Sequence, residues 1–488
     1  MLRMKKGKII ANFKIVDIQR ISQTQTVYQM EHVVSKTELI FDHVDTAEFF
    51  YSVGFYTPAL DDRGLTHILE HCVLAGSKHF PAKDPFVQLL KSSHHTFLNA
   101  LTFPEFTVYP VGSTNEKSFK KLLQVYTDAV FNPLVKENKG IFLQEGWRYE
   151  KTKGKYKLSG VVFNEMQGAL ANHESYAEDA FLQALFPSTS LANQSGGDPR
   201  EIMNLDYADL VKYHDTYYHP TNARIFIRGN ISDIEYYLTF LDTQYISQSD
   251  KGVKYHSRKK VQKISNEKFV QKVYAPESET YSVGKAWAAA DSSLRHMTER
   301  NVVAYILGNT KDGLLYNHLH NSGKFESLHF HHETDIACNS FILHAVARKK
   351  AISQRQAWTM IDTFLADPAN YKLAAKTLEQ RVRNFAFSHY AYLDQEDGFG
   401  RMRSIYPRWL SGDNVLSFYN EQQIIADTLA RITPATFVRL VKKYLVNNLH
   451  YANVAVVPSA DTKYSFREQI KKRERKINAS SAANKKII

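Results

Sequence analysis

The sequence predicts an α+β chain of two domains, and three observations carry that expectation. At 488 residues the chain is long enough for more than one substantial core, and 43% hydrophobic with 23% charged residues is ordinary globular composition. Helical and strand-like patterns recur in both halves. Between the halves, Ser247 to Lys268 holds six lysines and one arginine with little apolar content, the composition of a linker. The expected division is 10–245 for a first domain, 246–269 for the linker, 270–460 for a second domain and 461–488 for a basic tail.

The first informative element is His67-Ile68-Leu69-Glu70-His71. At 100° per residue, His67, Glu70, His71 and Leu74 share one narrow arc, while Leu65, Ile68, Leu69, Cys72 and Val73 fill the opposite side. A helix with this division buries its apolar side and leaves the polar stripe free to face a cleft. Histidines at i and i+4 suit one Zn²⁺, and a carboxylate beside them is placed to take a proton from metal-bound water. The order H-x-x-E-H is the inverzincin motif. An amphipathic helix with two surface histidines shows the same separation, so the five residues leave both readings open.

Next, Thr96–Thr102 and Phe106–Val111 are β-rich runs separated by Phe103-Pro104-Glu105, the pattern of a hairpin. Val161, Val162, Met166 and Ala169 make a helical stripe with Glu165 at its margin. Ile225–Ile227 reads as a strand and Ile231–Leu241 as a helix. In the second half, Met297–Leu307 and Thr377–Tyr392 read as helices and Phe341–Ala347 as a strand. His329, His331 and His332 near Glu333 alternate as exposed polar positions do, and His94 and His95 read as residues that pack or that support a site from behind its ligands. Ser195-Gly196-Gly197 reads as a turn, and no glycine-rich phosphate loop is present.

From about Gly54 to Gly229 the chain resembles the pitrilysin/insulinase zinc metallopeptidases, most closely their presequence-protease subgroup. The resemblance is carried by Phe55-Tyr56-Thr57-Pro58, Gly64 to His71, Leu74-Ala75-Gly76-Ser77, Asp84 to Lys91, His95 to Ala100, Gly160 to Met166, Ser195 to Pro199 and Tyr217 to Arg224. After about residue 255 it is loose, mostly near Tyr444 to Asn448.

The resemblance implies one Zn²⁺ per chain, held by His67, His71 and Glu165, with Glu70 as general base. It implies that the edge holding Asn99 and Ala100 pairs with an extended peptide substrate. It also implies two related domains, each an antiparallel sheet packed with helices, together forming one half of a clamshell peptidase. The far half would come from a second chain or a homodimer partner. One departure stands out: many members of the wider family carry a second glutamate two helical turns before the third ligand, and here that position is Leu158, a change that fits the presequence-protease subgroup, which also lacks it. A chamber subunit that binds peptides or a partner without hydrolysing them is the rival reading.

Composition narrows the remaining classes. No run of about 18 apolar residues is present, which argues against a membrane span. Met1 to Lys8 is basic but lacks the apolar stretch of a secretory signal. Two cysteines, Cys72 and Cys338, imply no disulfide framework and a reducing compartment, the cytoplasm first and an organelle matrix second. Net charge is +12, but residues 461–488 hold nine Lys/Arg against three acidic residues, half of the total. Within that stretch, Lys471-Lys472-Arg473-Glu474-Arg475-Lys476 has no interleaved aromatics, so it reads as a solvated helix or tail and argues against nucleic acid.

Overall fold

The computed structural model describes residues 4–82, 85–170, 173–249, 252–255, 267–289, 293–309, 311–334, 336, 338–394 and 397–480. Asp84 of the quoted motif, much of the expected linker and the last eight residues lie outside the described residues. Two compact units are present. The first comprises Met1–Met166, Gln194–Ser257 and Glu396–Tyr419; the second comprises Gln167–Asn193, Arg258–Gln395 and Asn420–Ile488. These units do not follow a single cut at 246–269, because 167–193 packs with the second unit and 396–419 with the first.

The first unit is built on a nine-stranded sheet. Its strands are β1 (Ile9–Ile10), β2 (Phe13–Arg20), β3 (Gln25–His32), β4 (Glu38–Val44), β5 (Phe49–Tyr56), β6 (Phe97–Leu98), β7 (Leu101–Thr102), β8 (Phe106–Ser113) and, after a separate hairpin of β9 (Arg148–Thr152) and β10 (Lys155–Ser159), β11 (Ala223–Gly229). The order is β1-β2-β3-β4-β11-β5-β8-β6, with β7 also on β8. Neighbours are antiparallel except β4 and β11, which run parallel. The sheet is therefore mixed where the sequence led us to expect an antiparallel one. The helices that matter to the site are α1 (Leu65–Leu74), α2 (Pro85–Ser92), α3 (Glu116–Phe131), α4 (Lys139–Glu145) and α5 (Val161–Ala169).

The central strands carry near-continuous apolar runs because both faces are covered. Phe50, Tyr51, Val53 and Phe55 of β5 and Ile225, Phe226 and Ile227 of β11 are all buried. Part of the covering comes from the helix Gly398–Leu410, far along the chain. Its Tyr406 is fully buried and lies so close to β5 that a Cβ on Gly54 would stand 2.3 Å from its ring. The Tyr406 hydroxyl donates to the Arg224 carbonyl oxygen at 2.7 Å.

The second unit holds a five-stranded sheet of β12 (Glu267–Tyr274), β13 (Thr280–Ala288), β14 (Phe325–Glu333), β15 (Ser340–Arg348) and β16 (Tyr451–Ser459), ordered β12-β16-β13-β15-β14. Only β12 and β16 are parallel. α6 (Ala177–Leu185) belongs to this unit, and its Phe181 ring lies 5.8 Å from that of His344 on β15. The helices expected over 297–307 and 377–392 are found at Leu294–Ala304 and Ala375–Asp394. Among the described residues no helix is long and apolar enough to cross a membrane.

Histidines gather on this second sheet. His344 faces His329 across the β14–β15 ladder, and His344 Nε2 and His173 Nδ1 both lie 3.0 Å from Ser282 Oγ. Burial, then the neighbouring His329, His173 and His331, lowers the His344 pKa to about 4. The folded value thus sits below the ordinary ~6.5 of an unfolded chain. Its contribution is whole above pH ~6.5 and is lost as pH falls toward 4. Lowering the pH from 7 to 5 is expected to cost about 2 kcal/mol through this group. Urea unfolding of wild type and His344→Gln at both pH values checks it: the variant's pH dependence shrinks by about that amount.

Candidate metal centre

α1 starts at Gly64, whose left-handed φ of 66° replaces a side-chain cap. The turn at Ser195–Gly197 wraps this start. A Cβ on Gly64 would lie 2.8 Å from the Gly196 oxygen, and one on Gly197 would lie 2.7 Å from the Gly64 Cα. Both positions therefore need glycine for the two backbones to touch. The contact has a use: Thr66 Oγ1 donates to the Ser195 oxygen at 3.0 Å, and His67 Nδ1 lies 3.1 Å from the Gly196 oxygen. The stretch read from sequence as a turn is one, and it also orients a histidine.

The two faces of α1 divide as expected. Leu65, Ile68, Leu69, Cys72 and Val73 are buried, while His67 and His71 are half-buried. On α5 the stripe differs from expectation. Val162, Phe163 and Met166 are buried, whereas Val161 is 43% exposed. Glu165 projects from the exposed side and reaches both imidazoles. Its carboxylate oxygens stand 3.8 Å from His67 Nε2 and 3.7 Å from His71 Nε2. Among the described residues, His67, His71 and Glu165 are the one group of three whose ligand atoms lie within metal-sharing reach, all within 4.8 Å of one another.

The donor set can be tested against a tetrahedral ion. With bonds near 2.0–2.1 Å, tetrahedral ligand atoms stand about 3.4 Å apart; each imidazole is within a few tenths of an ångström of that from one Glu165 oxygen, Oε1 for His67 and Oε2 for His71. Both Nδ1 atoms face acceptors, Gly196 O for His67 and Glu145 Oε2 at 3.3 Å for His71. With Nδ1 protonated, each Nε2 lone pair points toward Glu165. Three protein ligands leave a fourth position for water or substrate. The residues fit a divalent metal of the zinc type.

Glu70 lies between the histidines and is 8% exposed. Thr102 Oγ1 on β7 donates to its Oε2 at 2.7 Å. Burial raises the Glu70 pKa, against the pull of His67, Thr102 and His71. For His71, burial opposes the charge, but the Glu145 carboxylate, with Glu70 and Glu165 behind it, outweighs it and raises the pKa. Neither Thr102 nor Glu145 was picked out from sequence.

Asn99 and Ala100 lie between β6 and β7. Both short strands keep one register on β8, with Leu98 opposite Val111 and Leu101 opposite Val108. Asn99 therefore faces Pro110, which has no N–H to return; Asn99 N–H alone donates, at 3.4 Å. This interrupts the expected hairpin strand. By the alternation of an antiparallel ladder, the peptide groups of Leu98, Ala100 and Thr102 face away from β8, along the edge of the sheet. A cleft of about 200 Å³ opens here beside Glu70 and His71, walled by Leu74, Ala75, Phe86, Val87 and Ala100 together with the polar Asn99 and Glu145.

Other candidates separate from this site. His95 Nδ1 bonds within its own turn, to Ser93, and His332 accepts from Arg300 Nε at 2.9 Å.

Two consecutive profiles of one peptidase family match the chain. That described as Insulinase (Peptidase family M16) covers residues 52–194, and Peptidase M16 inactive domain covers 204–366, together more than half of the sequence. The chain belongs to the M16 peptidase family. Among curated relatives, this M16 chain is 30% identical over 495 residues to Protein HypA of Clostridium perfringens, an alignment covering 98% of this chain and 50% of that protein. It is 48% identical over 182 residues to Presequence protease 1, chloroplastic/mitochondrial, of Arabidopsis thaliana, covering 37% of this chain and 17% of that one. The chain thus spans about half the length of the first relative and aligns with a smaller share of the second. Its fold is similar to that of a protease from Helicobacter pylori, with a TM-score of 0.69 at 15% identity over 88% of this chain and 99% of the other.

Proposed function

We propose that this M16 chain is a zinc-dependent metalloendopeptidase acting on short or unfolded peptides. The observation that carries the reading is the convergence of His67, His71 and Glu165 around one point with Glu70 buried beside them. A zinc ion there would be held by His67, His71 and Glu165 and would supply Lewis acidity that makes a water more acidic.

The chain's own residues do the rest. Glu70, steadied by Thr102, takes the proton from the attacking water and returns it to the leaving amine. An extended peptide adds as a strand along the edge at Asn99 and Ala100, held by main-chain hydrogen bonds that tolerate many sequences. The apolar wall of the cleft beside Glu70, made by Leu74, Ala75, Phe86 and Val87, favours a substrate with a hydrophobic side chain next to the scissile bond. A second chain of similar size, a separate half or another copy, is proposed to supply the remainder of the substrate chamber. A reducing, non-membrane location suits the two buried free cysteines.

The test is metal analysis together with cleavage of a quenched fluorescent peptide, with and without a zinc chelator. About one zinc per chain is expected, with activity lost to chelator and regained on adding Zn²⁺. Mixing with a candidate partner half raises turnover. A protein that takes up no zinc, or cleaves equally well in chelator, rules the reading out. The inactive-domain match over 204–366 concerns residues beyond this centre and does not favour a non-hydrolysing subunit.

A further inference from the structure

His71 stands between two carboxylates. Its Nε2 faces Glu165 at 3.7 Å, and its Nδ1 lies 3.3 Å from Glu145 Oε2, a residue 74 positions away at the end of α4. Glu145 is 8% exposed and both its oxygens are engaged, since Oε1 accepts from Gln144 Nε2 at 2.9 Å. Its partner His67 has only a backbone carbonyl at the corresponding nitrogen. The site therefore has one neutral and one charged acceptor behind its two imidazoles.

The position of Glu145 is held unusually firmly. The next residue, Gly146, ends α4 with its N–H on the Phe142 oxygen at 2.8 Å. A Cβ on Gly160, at the entry to α5, would stand 2.0 Å from the Gly146 oxygen. Trp147 Nε1 donates to the Leu205 oxygen at 2.9 Å. The backbone that carries Glu145 is thus pressed against the start of the helix that carries Glu165, and Gly160 must lack a side chain for that approach. Leu158, on β10 before that helix, is buried and apolar and has nothing with which to accept a proton from an imidazole.

We propose that Glu145 is a positioning residue of the metal centre. It keeps the His71 proton on Nδ1 and so commits Nε2 to the ion. A metal-bound imidazole gains basicity from such a carboxylate, and losing one costs about 10–100-fold in metal affinity. This rests on the reading of His67, His71 and Glu165 as ligands. A carboxylate serving only as a buried ion-pair partner would instead affect folding stability and leave metal affinity unchanged.

The experiment measures Zn²⁺ affinity of the full chain by competition with a chromophoric chelator, alongside thermal unfolding of the metal-free protein. Glu145→Gln, nearly isosteric, is expected to weaken zinc binding about tenfold, and Glu145→Leu about a hundredfold. If Glu145→Leu does not fold, Glu145→Gln decides alone. Wild-type affinity in Glu145→Gln overturns the positioning role and leaves the ligand set standing. A wild-type protein that binds no zinc overturns the ligand set and this inference with it.

Discussion

Glu70→Gln is expected to abolish peptide cleavage while leaving zinc in place. The amide keeps the size of the carboxylate and can still accept from Thr102 Oγ1, which now stands 2.7 Å from Oε2, so the folded site should persist. What disappears is the ability to take up and return a proton, worth about 10²–10⁴-fold in rate. Turnover of a fluorescent peptide should fall by that factor with zinc content near wild type. A chamber subunit without hydrolytic chemistry would show no measurable difference between the two proteins. Loss of zinc together with loss of activity would instead mean that Glu70 holds the centre together, and the proton-transfer role would have to be withdrawn.

Tyr406→Ala is expected to destabilise the first unit by about 3–5 kcal/mol, the usual cost of emptying a large buried aromatic site. The ring is fully buried, stacks near Phe106 at 6.2 Å and meets Trp409 edge-on at 5.6 Å. Its hydroxyl also satisfies the Arg224 carbonyl inside the sheet. Urea unfolding followed by circular dichroism measures the effect. Gly54→Ala attacks the same contact from the other side, since the added methyl meets the Tyr406 ring, and should cost about 1–3 kcal/mol by overpacking. A change below 1 kcal/mol in Tyr406→Ala would mean that the Gly398–Leu410 helix does not cover this sheet.

These two predictions differ in how far they could be read from the chain. Glu70 was legible because its neighbours on one helix face are four residues away or fewer, and helical spacing alone groups them. Tyr406 was not. Nothing local to Gly398–Leu410 marks it as part of a sheet whose contacting strands lie 182 and 354 residues earlier, and Gly54 gives no local sign of what occupies the space its missing side chain leaves. The same limit explains the domain division. A composition shift near 247–268 was visible, but the packing of 167–193 and 396–419 with the opposite units depends on contacts between distant segments. The antiparallel expectation for the sheets also met a long-range exception, the parallel pairs β4–β11 and β12–β16, each joining strands far apart in sequence.

Within the site, the sequence by itself determined the amphipathic division of α1, the histidine pair with its carboxylate, and the family to which the motifs point. Those features repeat at the period of a single helix or lie in contiguous motifs. The tertiary structure alone decided that Thr102 steadies Glu70, that glycines 64 and 197 let the Gly196 carbonyl reach His67, that Pro110 interrupts the edge strand, and that Glu145 stands behind His71. Each of these is a contact between segments with no shared local pattern. Periodicity records which face a residue occupies, and only the packed chain determines what comes to meet it.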